Sequence, residues 1–174
     1  NIDQKDQILK DNVFLGQAQK EFTTNVNSKL AIIQKGYYAD EVFGNSGPNP
    51  PQVGQQTTYT IIWQAKNYYN DVKGVRVRAP LDNNVRLTGR IFPTDSRLTF
   101  DSSSREVVWE LDDMAAGRGV LDQAPSVAFQ ITLNPQHGGT SNLVGVAKIT
   151  GEDQFTGLSV SGEIPAINTS DVVQ

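Results

Sequence analysis

The chain has 174 residues and a net charge of −4, and 20% of its residues are charged, 37% are hydrophobic and none is cysteine. An acidic chain lacks the basic surface that neutralises phosphates, so this composition argues against nucleic-acid binding. The absence of cysteine excludes disulfides, thiol catalysis and thiolate metal sites. No run of about 18 apolar residues is present that could span a bilayer. Asn1 begins no signal-peptide pattern, so we expect any export signal or anchor to lie outside this sequence.

The first 43 residues are predicted to form an N-terminal β segment. Residues 1–10 are polar and compatible with a short helix, whereas residues 13–22 and 26–33 are predicted strands joined by 23–25. A lone β-hairpin is marginally stable in water. We therefore expect this segment to pack against its own domain or a neighbouring copy.

Residues 44–52 are predicted to be a linker. Three prolines and two glycines in this stretch cannot hold a ladder or a helix. The boundary divides the chain into a β segment at 1–43, a Pro/Gly linker at 44–52 and one domain at 53–174.

Alternating apolar and polar residues predict a succession of strands in that domain. The predicted strands are 57–66, 75–79, 85–92, 97–100, 106–111, 126–133, 143–150 and 154–164. Hairpin turns are predicted at 101–105 and 151–153. No intervening segment offers an amphipathic helix of crossover length, which argues against a parallel α/β fold. The pattern predicts an all-β, immunoglobulin-like antiparallel β-sandwich with an N-terminal β-hairpin segment.

Four aromatic residues are predicted to mark the core. Tyr59 and Trp63 share one face of the predicted strand 57–66. Trp109 shares one face of the predicted strand 106–111 with apolar residues at every second position. This placement favours core packing over a sugar-binding platform for the tryptophans. With Phe129 in strand 126–133, these residues are our core markers.

A short internal similarity links residues 12–20 with residues 142–148, and a Phe-Thr pair follows each. On this interpretation the N-terminal segment is the closing hairpin of a preceding repeat, and the chain comes from a tandem array.

Several motifs carry a family resemblance. They include Gly-Gln-Gln-Thr-Thr-Tyr-Thr-Ile at 54–61, Asn-Asp-Val-Lys-Gly-Val-Arg-Val at 70–77, Ala-Pro-Leu at 79–81 and Trp-Glu-Leu at 109–111. Over roughly residues 53–167 the chain resembles the conserved-repeat domain of unknown function of bacterial and archaeal cell-surface proteins. Within that family, the chain most resembles the version of the domain in surface proteins of ultrasmall candidate-phylum bacteria. The resemblance implies an Ig-like sandwich and an exported protein, and it brings no catalytic residues. The tyrosines at 68 and 69 depart from the small residues usual in that turn.

Few residues of this sequence are candidates for catalysis or metal binding. His137 is the only histidine, and its Gly-Gly context is interpreted as a polar hairpin turn, because the Gly-x-Ser-x-Gly elbow of esterases is missing. Adjacent carboxylates such as Asp112-Asp113 are predicted to be solvated turn charges. Neither an EF-hand nor another calcium-loop spacing is present, so no cofactor or metal is predicted. A Lys–Asn bond of the kind found in pilin domains would use Lys29, Lys35, Lys66 or Lys148, and the sequence singles out none of them.

The sequence therefore predicts a non-enzymatic structural or spacer module of an extracellular cell-surface protein, whose partners are neighbouring repeats or copies of itself. One alternative is a self-assembling filament or surface-layer subunit that uses β-strand addition. A second is an adhesin that binds carbohydrate or protein through its loops, with Tyr68, Tyr69 and His137 as the contact surface.

Overall fold

The structure is a computed structural model that describes residues 24–174. The predicted strand at 13–22 lies outside these residues. The described strands are β1 (Leu30–Tyr37), β2 (Thr57–Asn67), β3 (Val72–Pro80), β4 (Val85–Phe92), β5 (Leu98–Asp101), β6 (Glu106–Met114), β7 (Ser126–Leu133), β8 (Asn142–Val144), β9 (Ala147–Asp153), β10 (Ser159–Ile164) and β11 (Ile167–Asn168). A 3₁₀ turn at Thr169–Asp171 follows. Over this range no helix has the length and apolarity needed to cross a membrane.

The strands form two larger antiparallel sheets and a small third one. The first sheet has the order β1-β2-β7-β4, the second has the order β10-β9-β3-β6-β5, and β11 pairs with β8. Buried side chains of both larger sheets belong to one hydrophobic cluster. The predicted all-β, Ig-like sandwich is confirmed.

The core consists of the inward-facing residues of this strand alternation. Trp63 is fully buried, and its ring meets that of Phe129 edge to face with 4.9 Å between centroids. The indole Nε1 of Trp63 donates a hydrogen bond to Oε1 of Gln34 at 2.8 Å. Tyr59, Trp63 and Phe129 are 0% exposed, and Trp109 is 4% exposed.

Strand β1 pairs with β2 of the same chain over its whole length, from Leu30↔Asn67 to Tyr37↔Thr60. The predicted strand at 26–33 is therefore displaced by four residues. The displacement has a local cause, since the backbone at Val26 and Ser28 is hydrogen-bonded to side chains of other loops. The three-part division at 43 and 52 stays a prediction about which parts fold independently.

The Pro/Gly stretch 44–52 lies against the first sheet. The amide of Asn45 donates to the backbone oxygen of Tyr38 at 2.8 Å and to Oγ1 of Thr60 on β2 at 3.0 Å. Its Oδ1 accepts from Gln130 on β7 at 3.0 Å. The backbones of Ser46 and Thr58 also pair at 2.9 Å. Side-chain hydrogen bonds thus hold a segment that cannot form a ladder of its own.

The predicted turn at 151–153 is wrong, because these residues belong to β9 and the turn lies at 154–158. Asp153 Oδ1 accepts hydrogen bonds from the backbone N–H groups of Phe155 and Thr156 at 2.8 and 2.9 Å. An aspartate that binds the backbone two residues on begins a turn after itself. The predicted strand 154–164 is consequently shortened to β10, and the predicted strand 143–150 is divided into β8 and β9. Strands β4 and β7 have the predicted bounds.

Candidate functional site

The three predicted contact residues lie at opposite ends of the sandwich. Tyr68 and Tyr69 follow the last residue of β2, whereas His137 follows the last residue of β7. Strands β2 and β7 are antiparallel, with Thr57 opposite Leu133. Because a strand rises about 3.4 Å per residue, the length of β2 separates these groups by roughly 35 Å. They do not form one surface.

The tyrosine pair is partly held by its surroundings. The Tyr68 ring lies 5.8 Å from that of Tyr69 and has the Lys29 ammonium 5.1 Å from its centroid. The backbone N–H of Tyr68 also donates to the Lys29 oxygen at 3.0 Å. Tyr69 is 59% exposed, so it presents its ring to solvent. A cation–π contact at such an exposed site contributes about 0.5–1 kcal/mol.

His137 lies in the exposed loop after β7. Its Nδ1 is 3.1 Å from the backbone oxygen of the next residue, Gly138. A catalytic histidine needs a nucleophile and an orienting acid within hydrogen-bond reach. The backbone contact provides neither. Within residues 24–174, no three His, Cys, Asp or Glu side chains cluster as metal ligands would.

A buried polar cluster that the sequence analysis missed lies where β1 begins. We call this end of the sandwich the N-terminal end. The amide of Asn67 donates to the backbone oxygens of Asn70, Met114 and Ala115 at 2.7–3.1 Å. Its Oδ1 accepts from Oγ of Ser28. The cluster thus joins the segment before β1 to the loops after β2 and β6. Asn67 occupies an inward position of β2, where the alternation calls for an apolar residue, and that was the available signal.

Asp153 joins the loop after β9 to the same cluster. Its Oδ2 accepts hydrogen bonds from the backbone N–H of Ser28 at 2.6 Å and from the amide of Asn70 at 2.9 Å. Burial opposes the charge, but these two bonds and the two from Thr156 and Phe155 outweigh it. Together they hold the pKa of the Asp153 carboxyl well below its usual range. The carboxylate therefore stays ionised as a structural acceptor.

None of the four candidate lysines for a Lys–Asn bond is buried. Lys29, Lys35 and Lys148 are exposed and Lys66 is half-buried. Such a bond needs a desolvated amine next to the amide carbon. The Asn67 amide is instead held by backbone oxygens and by Ser28. Within residues 24–174, the hydrogen bonds of Asn67 and Asp153 connect the loops at this end of the sandwich.

An open cleft of about 640 Å³ crosses the outer face of the second sheet. Strands β3, β6, β9 and β10 supply its lining residues, of which five are charged. Lys73 on β3 pairs with Glu152 on β9 at 3.3 Å. Both side chains are half exposed. An exposed ion pair of this kind contributes at most about 1 kcal/mol. The face has the character of a solvated sheet surface.

No family model matches the chain, and neither does any curated protein. Solved structures are similar in fold. A variant of the major pilin subunit BcpA of Bacillus cereus has a TM-score of 0.52 at 15% identity, covering 84% of this chain and 41% of that one. The subunit BcpA has a TM-score of 0.51 at 13% identity, covering 83% and 40%. The full-length major pilin SpaD of Corynebacterium diphtheriae has a TM-score of 0.47 at 14% identity, covering 80% and 35%.

The chain thus spans about two fifths of the length of the Bacillus cereus pilin subunits. None of these matches supports the narrower link to candidate-phylum bacteria. At such identities the likeness concerns the fold, and it agrees with the Ig-like sandwich that the surface-repeat resemblance implies.

Proposed function

We propose that this chain is a non-catalytic spacer module of an extracellular cell-surface protein. The observation that carries the proposal is that the described backbone, from residue 24 to residue 174, begins at one end of the sandwich and finishes at the other. Val173 forms a parallel bridge with Tyr37, at the end of β1 far from Leu30. Its N–H donates to Gly36 and its oxygen accepts from Tyr38, both at 2.9 Å. From Ser28 to Val173 the sandwich measures about 30 Å at 3.4 Å per residue.

A module with ends so placed extends any chain into which it is inserted. Successive copies would lie one after another, and each would add its own length to the array. The fold likeness to pilin subunits, which are more than twice as long as this chain, supports a role as one module of a longer protein. The resemblance to surface-repeat domains supports the extracellular location.

The polar residues support the absence of catalysis. Asp153 and Asn67 are saturated with hydrogen bonds from or to the loops around them. His137 lies far from Tyr68, at the other end of the sheet. Catalysis by general acid and base requires such groups to converge on one reacting atom.

One edge of each larger sheet is poorly suited to strand addition, which supports a spacer over a subunit that assembles in that way. Strand β4 forms the edge of the first sheet, but its ladder is interrupted between Leu87 and Ile91, where Gly89 has a φ of 93°. Strand β5, one of the two edge strands of the second sheet, has only four residues. Bulges and short edges hinder edge-to-edge pairing.

The proposal can be tested by small-angle scattering on the full chain and on two full chains fused end to end. We expect the maximum dimension to increase by about 30 Å or more, since each copy adds the length of its strands. An increase below about 15 Å would mean side-by-side packing and would overturn the spacer role. Sedimentation of the single chain is the control. A monomer at all concentrations is expected, whereas growing polymers would favour the strand-addition alternative instead.

A further inference from the structure

Six large apolar side chains are exposed on the loops at the N-terminal end of the sandwich. They are Val26, Tyr69, Val120, Leu121, Phe155 and Leu158, which we call the N-terminal apolar surface. All six are at least 45% exposed, and Leu121 is 87% exposed. Single exposed apolar residues are ordinary, whereas several on neighbouring loops make this end a candidate contact surface.

Hydrogen bonds hold the loops that carry these side chains together. The backbone N–H of Asn67 donates to the Arg118 oxygen at 2.9 Å, and that of Gln154 donates to the Asp71 oxygen at 2.8 Å. The amide of Asn70 reaches the Val26 oxygen at 2.7 Å. The buried cluster of Asn67 and Asp153 lies beneath them. The loops therefore form one fixed end of the molecule and not four separate tips.

The chain itself arrives at this surface. Val26 is a member of it and is fixed by Asn70, so the residues before it start from this end. Residues 13–22 lie outside the described part and contain Val13, Phe14, Leu15 and Phe22. Phe22 precedes Val26 by four residues, which is at most about 14 Å of chain, so the segment has the reach to cover the surface.

We propose that residues 13–22 of the same chain pack against the N-terminal apolar surface. This contact gives the apolar side chains on both sides a partner without a second molecule. Such a contact does not depend on the spacer role.

A matched pair of valines offers a direct test in the full chain. Val120 on the proposed contact surface and Val146 at the other end of the sandwich are both 45% exposed. We expect Val120→Ser to lower the melting temperature by about 3 °C, because it removes a covered methyl pair, and Val146→Ser to leave it unchanged. Phe22→Ser should lower it as well.

Double variants identify the occupant. If Phe22 contacts the surface, Val120→Ser combined with Phe22→Ser should lower the melting temperature by clearly less than the sum of the two single effects. Val146→Ser combined with Phe22→Ser should be additive. Equal, negligible effects of the two valine substitutions would overturn the proposal, and so would additivity in both pairs. A dimer in sedimentation that Val120→Ser dissociates would also overturn it, since a second copy would then be the occupant.

Discussion

Replacing Tyr59 with phenylalanine is expected to stabilise the protein. Tyr59 is fully buried on β2, and within residues 24–174 its hydroxyl has no hydrogen-bond partner. A buried hydroxyl left without a partner costs about 1–3 kcal/mol. Part of this gain is offset by the contacts that the oxygen atom makes in the packed core. We therefore expect Tyr59→Phe to raise the free energy of unfolding by about 1 kcal/mol.

The neighbouring tyrosine provides the control. The rings of Tyr38 and Tyr59 meet edge to face at 6.1 Å, but the hydroxyl of Tyr38 donates to the Gly47 oxygen at 2.8 Å. Removing a hydroxyl that has a partner should lower the free energy of unfolding by about 0.5–1.5 kcal/mol. The same chemical change at two adjacent rings should therefore have opposite signs.

The pH dependence offers a second readout. Burial first, and the nearby Tyr38 second, raise the pKa of Tyr59 to about 12 from 10.0. A raised pKa means that the folded state holds the proton more tightly than the unfolded state. Stability is then fully present below pH 10 and falls as the pH rises to 12, by up to about 3 kcal/mol. The Y59F variant should lack this part of the alkaline loss.

Urea denaturation of the wild type, Tyr59→Phe and Tyr38→Phe at pH 8 and pH 11 measures both effects. The advantage of Tyr59→Phe should increase at the higher pH. If Tyr59→Phe is less stable than the wild type at pH 8, its hydroxyl has a hydrogen-bond partner and the reasoning fails.

Two further predictions concern the core and the buried cluster. Trp109→Ala should cost about 3–5 kcal/mol of unfolding free energy in calorimetry, because the ring is 4% exposed. Glu110→Ala should change the free energy of unfolding by less than about 1 kcal/mol, since its ion pairs with Arg76 and Arg97 are exposed contacts of 3.9 Å. Equal, small losses for Trp109→Ala and Glu110→Ala would show that the register of β6 is wrong. Asp153→Asn should lower the melting temperature at pH 7, because an amide nitrogen would face N–H donors. The difference in melting temperature between the wild type and this variant should shrink below about pH 4, as the aspartate is protonated in the unfolded state. A difference that stays constant from pH 7 to pH 2 would contradict the assigned role of that charge.

The strand pattern was predictable because each central strand has one face in the core. Strands β4 and β7 have the expected bounds, and the inward residues of β2 fall at every second position as the alternation requires. Periodicity has no information about where side chains replace the backbone as hydrogen-bonding partners. Asp153 begins a turn through its carboxylate, so the strand before it is longer and the strand after it shorter than the sequence pattern indicates.

The candidate site was harder to predict for a related reason. The cluster of Ser28, Asn67, Asn70 and Asp153 brings together positions up to 125 residues apart, through short polar side chains that are common in loops. Nothing local distinguishes these residues from solvated ones. Only the inward position of Asn67 on β2 indicated burial. His137 was conspicuous as the single histidine, and Tyr68 because small residues are usual in its turn. The antiparallel pairing of β2 with β7 places them at opposite ends of the sandwich.

The connection between β1 and β2 explains why β1 pairs within its own chain and not with a second copy. Gln34 on β1 is hydrogen-bonded to Trp63 and to the backbone oxygens of Gly145 and Pro165, and these bonds fix the register of the strand. The same bonds could form if β1 were exchanged between two copies. An exchange would have to straighten residues 38–56. That segment is fastened to the first sheet of its own chain, by Asn45 to Thr60 and Gln130 and by the backbone pairing of Ser46 with Thr58. Domain exchange needs a connection that opens at low cost, and these bonds raise that cost. The stretch whose prolines and glycines suggest a free linker is thus bonded to its own chain in a way that raises the cost of exchanging β1 between copies.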